Sequence, residues 1–230
     1  MEFFEIVLKE IRKETSDSYS YIFNIPEGYT FKAGQHAAWK FKDHKVEEGD
    51  RDTRVFSIAS APEDGYLMFT TRIADPHTSY KEILLNKIKV GDSMFIAPAR
   101  GDFNFQKDHT HTFVIAGGIG ITPIRSILKT WAHQNDLNHK IEVLYSDDRG
   151  EFCYKEAFDE ITAAMPNLTL SLISQREVFM ERVDEFAKAN GNHAEYLVAG
   201  SPGMNKAFKE RLMGMGISED NIKLDNFIGY

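Results

Sequence analysis

Val114-Ile115-Ala116-Gly117-Gly118-Ile119-Gly120-Ile121-Thr122-Pro123 is the stretch on which the reading of this chain turns. An apolar strand runs into glycines, and a helix is predicted to open at Thr122-Pro123. Glycines let a backbone approach a pyrophosphate closely, and a helix N-terminus offers free N–H groups and a positive dipole end to it. Proline just inside the helix is harmless, because its missing N–H would have had no helical partner. The spacing is not the Rossmann G-x-G-x-x-G, and an ordinary bend from strand to helix is the competing reading. A second stretch, Tyr196-Leu197-Val198-Ala199-Gly200-Ser201-Pro202-Gly203-Met204, repeats the order strand, glycine turn, helix. In a doubly wound sheet ligands bind outside the carboxyl ends of the strands, so the two turns can line one crevice.

Outward from these turns, strands are predicted at Thr112 to Ala116, Ile141 to Tyr145, Leu168 to Ile173 and Glu195 to Ala199. Helices are predicted near Thr122 to His133, Tyr154 to Ala164, Arg182 to Ala189 and Gly203 to Met213. This alternation implies parallel βαβ units in a doubly wound sheet. The first hundred residues read differently. Short β-favouring runs lie at Phe3 to Ile11, Ser18 to Ile25, Gln35 to Phe41, Arg54 to Ser60, Tyr66 to Ile73 and Ser93 to Ala97. Breakers such as Pro26-Glu27-Gly28 and Glu63-Asp64-Gly65 separate them, which suggests an antiparallel barrel or sandwich. One helix interrupts it, Tyr80 to Ile88, with Thr78-Ser79 as N-cap chemistry. The boundary is expected between Phe105 and His111, giving domains of residues 1–106 and 107–230.

The chain has 230 residues, 42% of them hydrophobic, enough for two domains with buried cores. Its net charge of −8, from 35 acidic and 27 basic residues, gives no broad electrostatic case for nucleic acid or an anionic membrane. A single cysteine, Cys153, excludes an internal disulfide framework and a four-thiolate iron–sulfur cluster; it reads as a small buried or semi-exposed residue. The N-terminus does not resemble a signal peptide and no apolar run is long enough for a membrane span, so a cytoplasmic location is expected. His109 and His111 lack a nearby third ligand and read as a solvated loop, and the remaining histidines form no spaced cluster, so no metal site is expected.

In Arg54-Val55-Phe56-Ser57, a strand period of two puts Arg54 and Phe56 on one face, a cation for phosphate beside an aromatic ring, with a hydroxyl at the next step. An ion-paired arginine on a half-buried strand is the plainer alternative. Thr78-Ser79 is a second anion site or a simple helix cap.

The order Arg54-Val55-Phe56-Ser57, Thr78-Ser79-Tyr80-Lys81, Gly117 to Pro123, then Gly200-Ser201-Pro202-Gly203-Met204 resembles the ferredoxin–NADP reductase superfamily, and Phe31-Lys32-Ala33-Gly34-Gln35 resembles its turn into an early barrel strand. The resemblance implies an antiparallel β-barrel flavin domain followed by a doubly wound α/β nucleotide-binding domain, with FAD and NAD(P)H as cofactors. It implies that Arg54 pairs with the FAD pyrophosphate, that Phe56 and Ser57 lie against the isoalloxazine with Ser57 near N5, and that Thr78 and Ser79 hold the pyrophosphate from the other side. Val55 and Arg72 join the cofactor-binding set. Gly117, Gly118, Gly120 and Thr122 would receive the NAD(P)H pyrophosphate, and Gly200, Ser201 and Met204 the nicotinamide half. Ser146 and Arg149 would meet the adenosine ribose, where Asp147 and Asp148 favour NADH, while Arg149 and Arg176 keep NADPH open. Phe227 or Tyr230 would close the flavin face.

Three features depart from the family pattern: Ala74-Asp75-Pro76-His77 where glycine is common, Ala199 where cysteine is common, and the C-terminal run Asp225-Asn226-Phe227-Ile228-Gly229-Tyr230. The implied activity is hydride transfer from NAD(P)H to FAD, with electrons passed to a ferredoxin, a flavodoxin or a small-molecule acceptor. Lys40, Lys42, Lys45, Arg51 and Lys87 are candidates for a docking face. FMN in place of FAD, and a non-catalytic NAD(P)H-sensing or scaffold subunit, are the alternatives.

Overall fold

The computed structural model describes residues 3–106, 108–135 and 137–225. In the first half, β1 (Phe4–Lys13), β2 (Ser18–Phe23), β3 (His36–Phe41), β4 (Thr53–Ser57), β5 (Leu67–Arg72) and β6 (Ser93–Ile96) form one antiparallel sheet of order β4-β3-β6-β1-β2-β5. Alternation decides which way each strand faces: in β3, Ala37, Trp39 and Phe41 are buried and the residues between them are not. The sheet curls until the chain just after β4 meets β5, where the Ala59 N–H donates to the Met68 carbonyl at 2.7 Å and the Met68 N–H to the Ser60 hydroxyl at 3.0 Å. Closure of this kind buries an aromatic interior of Tyr21, Phe23, Trp39, Phe56 and Phe69.

Helix α1 (Ser79–Asn86) seals one end of this barrel. Tyr80 is fully buried and donates to the Trp39 carbonyl at 3.2 Å, while Tyr21 donates to the Leu84 carbonyl at 2.8 Å. Both phenol groups thus enter the apolar interior with their hydroxyls paired.

The second half is a parallel sheet, β11-β10-β7-β8-β9, of β7 (His111–Gly117), β8 (Lys140–Ser146), β9 (Leu168–Ile173), β10 (Glu195–Ala199) and β11 (Ile222–Leu224). Helices α2 (Ile121–Gln134) and α3 (Lys155–Ala164) pack in the cluster on one face, and α4 (Arg176–Asn190) and α5 (Pro202–Gly214) in that on the other. The fold class read from the sequence is therefore the observed one.

Two elements differ from expectation. Helix α4 starts at Arg176, six residues early, because Phe179, Val183 and Phe186 continue one buried stripe at helical spacing through a polar-looking segment. Strand β11 was not expected; at three residues it is too short to carry a period, and pairing with β10 alone defines it.

A buried ionic contact joins the halves. Arg125 of α2 is 3% exposed; its guanidinium donates to the Ala59 carbonyl at 2.8 Å, pairs with Asp64 at 3.1 Å and reaches the Tyr66 hydroxyl at 3.2 Å. Beside it Ser126 donates to the Ser60 carbonyl at 2.6 Å. Gly34 adds a close approach: it sits at φ +82°, and a Cβ there would meet the Phe103 carbonyl group and lie 3.2 Å from Cδ1 of Ile127.

At the amino ends of the parallel strands a second polar cluster is buried. Glu195 is fully buried, accepting from the Thr112 hydroxyl and from the Gln106 N–H at 2.8 Å, and Thr112 meets Nε2 of His139 at 2.5 Å. Burial pushes the Glu195 carboxyl up to about 7, against the pull of the Thr112 and Gln106 donors and Lys223. The folded chain then binds a proton more tightly than the unfolded chain, so this group stabilises at acidic pH and the contribution fades as pH rises from about 4.5 to about 7. Glu195→Gln should flatten that decline: thermal midpoints recorded from pH 5 to 8 fall less for the variant than for the parent. Parallel curves would show that Glu195 does not titrate in this window.

Candidate functional site

The carboxyl ends of β7 and β10 face β4 and the head of α1 across a cleft. One cavity of about 430 Å³ takes Arg54, Val55, Phe56, Ser57 and Thr78 from the barrel side and Gly120, Thr122 and Gly200 from the other. A second, of about 420 Å³, takes Arg72, Gly117, Gly118, Arg149 and Ser201. Ile119, Gly120 and Lys81 line both, so the two cavities share a wall. Of the residues singled out in the sequence, Ser79, Ser146 and Met204 line neither cavity, and Phe227 and Tyr230 lie outside the described residues.

The barrel-side wall is an anion cradle with an internal carboxylate in it. Asp50 pairs with the Arg54 guanidinium, and its Oδ2 accepts from the Ser79 hydroxyl at 2.7 Å and the Tyr80 N–H at 3.0 Å. Burial works against its ionisation, but the Ser79 hydroxyl, the N–H groups of Tyr80 and Arg51, and Arg54 hold the carboxyl down at about 2. Ser79 therefore belongs to the cradle without touching the cavity. Thr78 caps α1, its hydroxyl accepting from the Lys81 N–H at 3.4 Å. Arg54 and Phe56 do share a face: the Arg54 guanidinium lies 5.5 Å from the Tyr80 ring centre and the Phe56 ring 6.2 Å from it. One face of Phe56 is stacked on Phe69, at 4.6 Å and 6° between planes.

Across the cleft, small size is what the glycines supply. A Cβ on Gly120 would collide with the Ala199 carbonyl, 2.5 Å from its carbon, and lie 2.7 Å from the Gly200 nitrogen, so the two glycine turns meet backbone to backbone. Met204 covers both Gly117 and Gly200 with its sulfur. Thr122 donates its hydroxyl to the Ile119 carbonyl at 2.7 Å, leaving only oxygen lone pairs toward the cavity. Ser146 ends β8 opposite Gly117 in register.

Arg149 is held by Asp17 at 2.8 Å, Asp147 at 3.3 Å and Glu151 at 3.6 Å. A guanidinium committed to three carboxylates is a poor partner for an added phosphate. Arg176 is exposed at the start of α4 and lines neither cavity. Cys153 is buried, and burial pushes its thiol up to about 12, which makes it a weak nucleophile.

Asp50, Lys81 and Asp225 also line the cleft, and the sequence reading assigned none of them a role there. Asp50 and Lys81 carry no local signal, since a lone acid in a turn and a lysine in a helix are ordinary surface choices. Asp225 follows β11; its N–H donates to the Val198 carbonyl at 2.9 Å, and burial raises its carboxyl to about 7. It lines the first cavity together with Ser57.

An antiparallel barrel with an Arg-x-Phe-Ser strand is set against a doubly wound domain with two facing glycine turns, an arrangement suited to holding phosphorylated ligands in the cleft between them. Residues 114–210 match the family model of the oxidoreductase NAD-binding domain. The chain is similar to the ferredoxin NADP+ reductase of Neisseria gonorrhoeae, solved with bound FAD and NADP, with a TM-score of 0.77 and 20% identity over all of both chains. It is also similar to the flavohem-like FAD/NAD binding domain of nitric oxide dioxygenase from Vibrio cholerae, with a TM-score of 0.76 and 18% identity, covering 97% of this chain and 98% of that one. In sequence it is 28% identical over 233 residues to a subunit of the Na(+)-translocating NADH-quinone reductase of Haemophilus influenzae. That match takes in 90% of this chain but only 55% of the relative, so the chain spans about half the length of the curated relatives it matches. The chain as a whole has the fold of these two-domain FAD/NAD-binding proteins. Among the described residues no helix is long and apolar enough to cross a membrane.

Proposed function

We propose that the chain is an NADH-preferring flavin reductase, with residues 1–106 holding FAD and residues 107–230 holding the nicotinamide nucleotide. The observation that carries this reading is the pair of adjoining cavities, one beside a cradle that already holds an anion and one lined by the Gly117-Gly118 turn. The residues fit FAD: Arg54, Ser79 and the Tyr80 N–H bind a carboxylate oxygen here, and a phosphate oxygen makes the same demands of them. Arg54, Ser79 and the Tyr80 N–H would therefore hold the flavin pyrophosphate. Bound FAD supplies an acceptor for a hydride and a donor of electrons singly or in pairs.

The chain's own residues orient and shield. Phe56, braced by Phe69, presents a fixed apolar surface; Ser57 offers a hydroxyl and Asp225 a carboxyl poised to hold a proton near neutrality. Ala199 puts no thiol beside the nicotinamide, so proximity and orientation carry the transfer. The engaged state of Arg149 supports NADH over NADPH. On the acceptor side, Lys40 is paired with Asp52 and Lys42 with Glu5, both at 2.7 Å, which weakens a basic docking face at those two positions.

Anaerobic stopped-flow mixing of the FAD-loaded chain with NADH and with NADPH tests this directly. Rapid bleaching of the oxidised flavin band is expected, faster with NADH at equal concentration. Flavin left intact by both donors would sink the reductase and leave a sensing or scaffold role.

A further inference from the structure

We infer that Lys81 is a shared phosphate ligand, one ammonium that serves the flavin pyrophosphate on one side and the nicotinamide-nucleotide pyrophosphate on the other. The inference rests on the two-ligand reading above and deepens it.

Lys81 belongs to both cavities, and among the described residues no other cationic side chain does: Arg54 lines only the first, Arg72 and Arg149 only the second. It stands one residue past the Tyr80 N–H that completes the cradle, and its ammonium donates to the Arg72 carbonyl at 2.7 Å. An ammonium has three donors, so two are left for oxygens in the cavities.

Its surroundings are unfavourable to a cation. The side chain is half-buried on the wall between the cavities; burial, and then the neighbouring Arg54 and Arg72 guanidiniums, pull it below the usual lysine range. Among the described residues it pairs with no carboxylate. Asp17 bears on it, but Asp17 is taken by Arg72 and Arg149, both at 2.8 Å, and Asp50 is taken by Arg54. Arg54, Arg72 and Arg149 thus each have an internal counter-ion, and the cation between them has none. Anions on either side supply what the protein does not.

Two pyrophosphates meeting at one wall also repel each other, and a cation between them offsets that repulsion. Removing it therefore weakens both ligands, and weakens the second more once the first is bound. A lysine serving only one cavity, or only the barrel, cannot produce this pattern.

Calorimetric titration of the apo chain with FAD, and of the FAD-loaded chain with NAD+, reads the inference in the wild type, Lys81→Met and Lys81→Arg. Lys81→Met is expected to raise both dissociation constants by about tenfold or more, equivalent to roughly 1.4 kcal/mol each, while Lys81→Arg stays near wild type. The unliganded melting midpoint of Lys81→Met should hold or rise, since an unpaired cation has been removed. Weakening of one ligand alone, no weakening, or a lowered unliganded midpoint that Lys81→Arg does not restore overturns the inference while leaving the reductase reading standing. A wild-type chain that binds neither FAD nor NAD+ overturns the two-ligand reading and the inference together.

Discussion

Arg125→Met is expected to cost about 3–5 kcal/mol, the range for breaking one partner out of a buried ion pair. At this chain length that lowers the melting midpoint by roughly 6–20 °C. The physical cause is what remains behind. Asp64 has a side chain only 6% exposed; without Arg125 its charge is left with the Ala61 N–H at 2.9 Å and a long contact to Lys129 at 3.8 Å. The Ala59 carbonyl and the Tyr66 hydroxyl lose a donor as well. Because Arg125 stands on α2 and these partners on the barrel, the loss also loosens one half from the other. Pairing the change with Asp64→Asn removes the stranded charge, so the double variant should be more stable than Arg125→Met alone. Additive losses would show that the pair carries no coupling and that the halves are held by apolar contact.

Gly120→Ala is expected to reduce NADH affinity by at least about tenfold and to destabilise the chain by roughly 1–3 kcal/mol, as overpacking a tight contact does. Gly120 has ordinary right-handed helical angles, φ −60° and ψ −13°, so alanine meets no backbone strain there. Only the new methyl matters, and it lands on the Ala199 carbonyl and the Gly200 nitrogen, which are backbone and cannot rotate away. The two glycine turns must then part, and the crevice between them widens. Gly118→Ala is the internal control. That residue sits at φ +51° with nothing within 4 Å of a built Cβ, so alanine there costs about 1–2 kcal/mol of left-handed strain and displaces nothing. Titration of both variants with NADH should show the larger loss at Gly120. The reverse order would mean that the Gly118 turn itself, through its conformation or its surface on the nucleotide cavity, and not the close approach of the two turns, shapes the site.

The division into an antiparallel half and a βαβ half was legible in the sequence because both signals are local. In β3 the alternation of Ala37, Trp39 and Phe41 survives folding unchanged, and in the Gly117-Gly118-Ile119-Gly120 turn the glycines mark the end of a strand whatever surrounds it. The first turn of α4 was not legible, because Arg176-Glu177-Val178 is polar or exposed and only Phe179 ties it to the core. Arg54, Ser57, Thr78, Gly117, Gly118, Gly120 and Gly200, singled out by residue type and order, do line the two cavities.

No role in the cleft was legible for Asp50, Lys81 or Asp225, and neither was the engagement of Arg149. Each acquires its meaning from partners far along the chain: Asp50 from Ser79, Arg149 from Asp17, and Lys81 from a cavity whose other wall begins at Ile119. Residue order thus determined the two halves, the positions of their turns and the types of group on offer. Only tertiary structure decided which cations are already neutralised by internal carboxylates and which one is left facing both cavities. The reason is that strand and helix periods arise from covalent geometry repeated every few residues, whereas a charge is answered by whatever lies within a few ångströms in space.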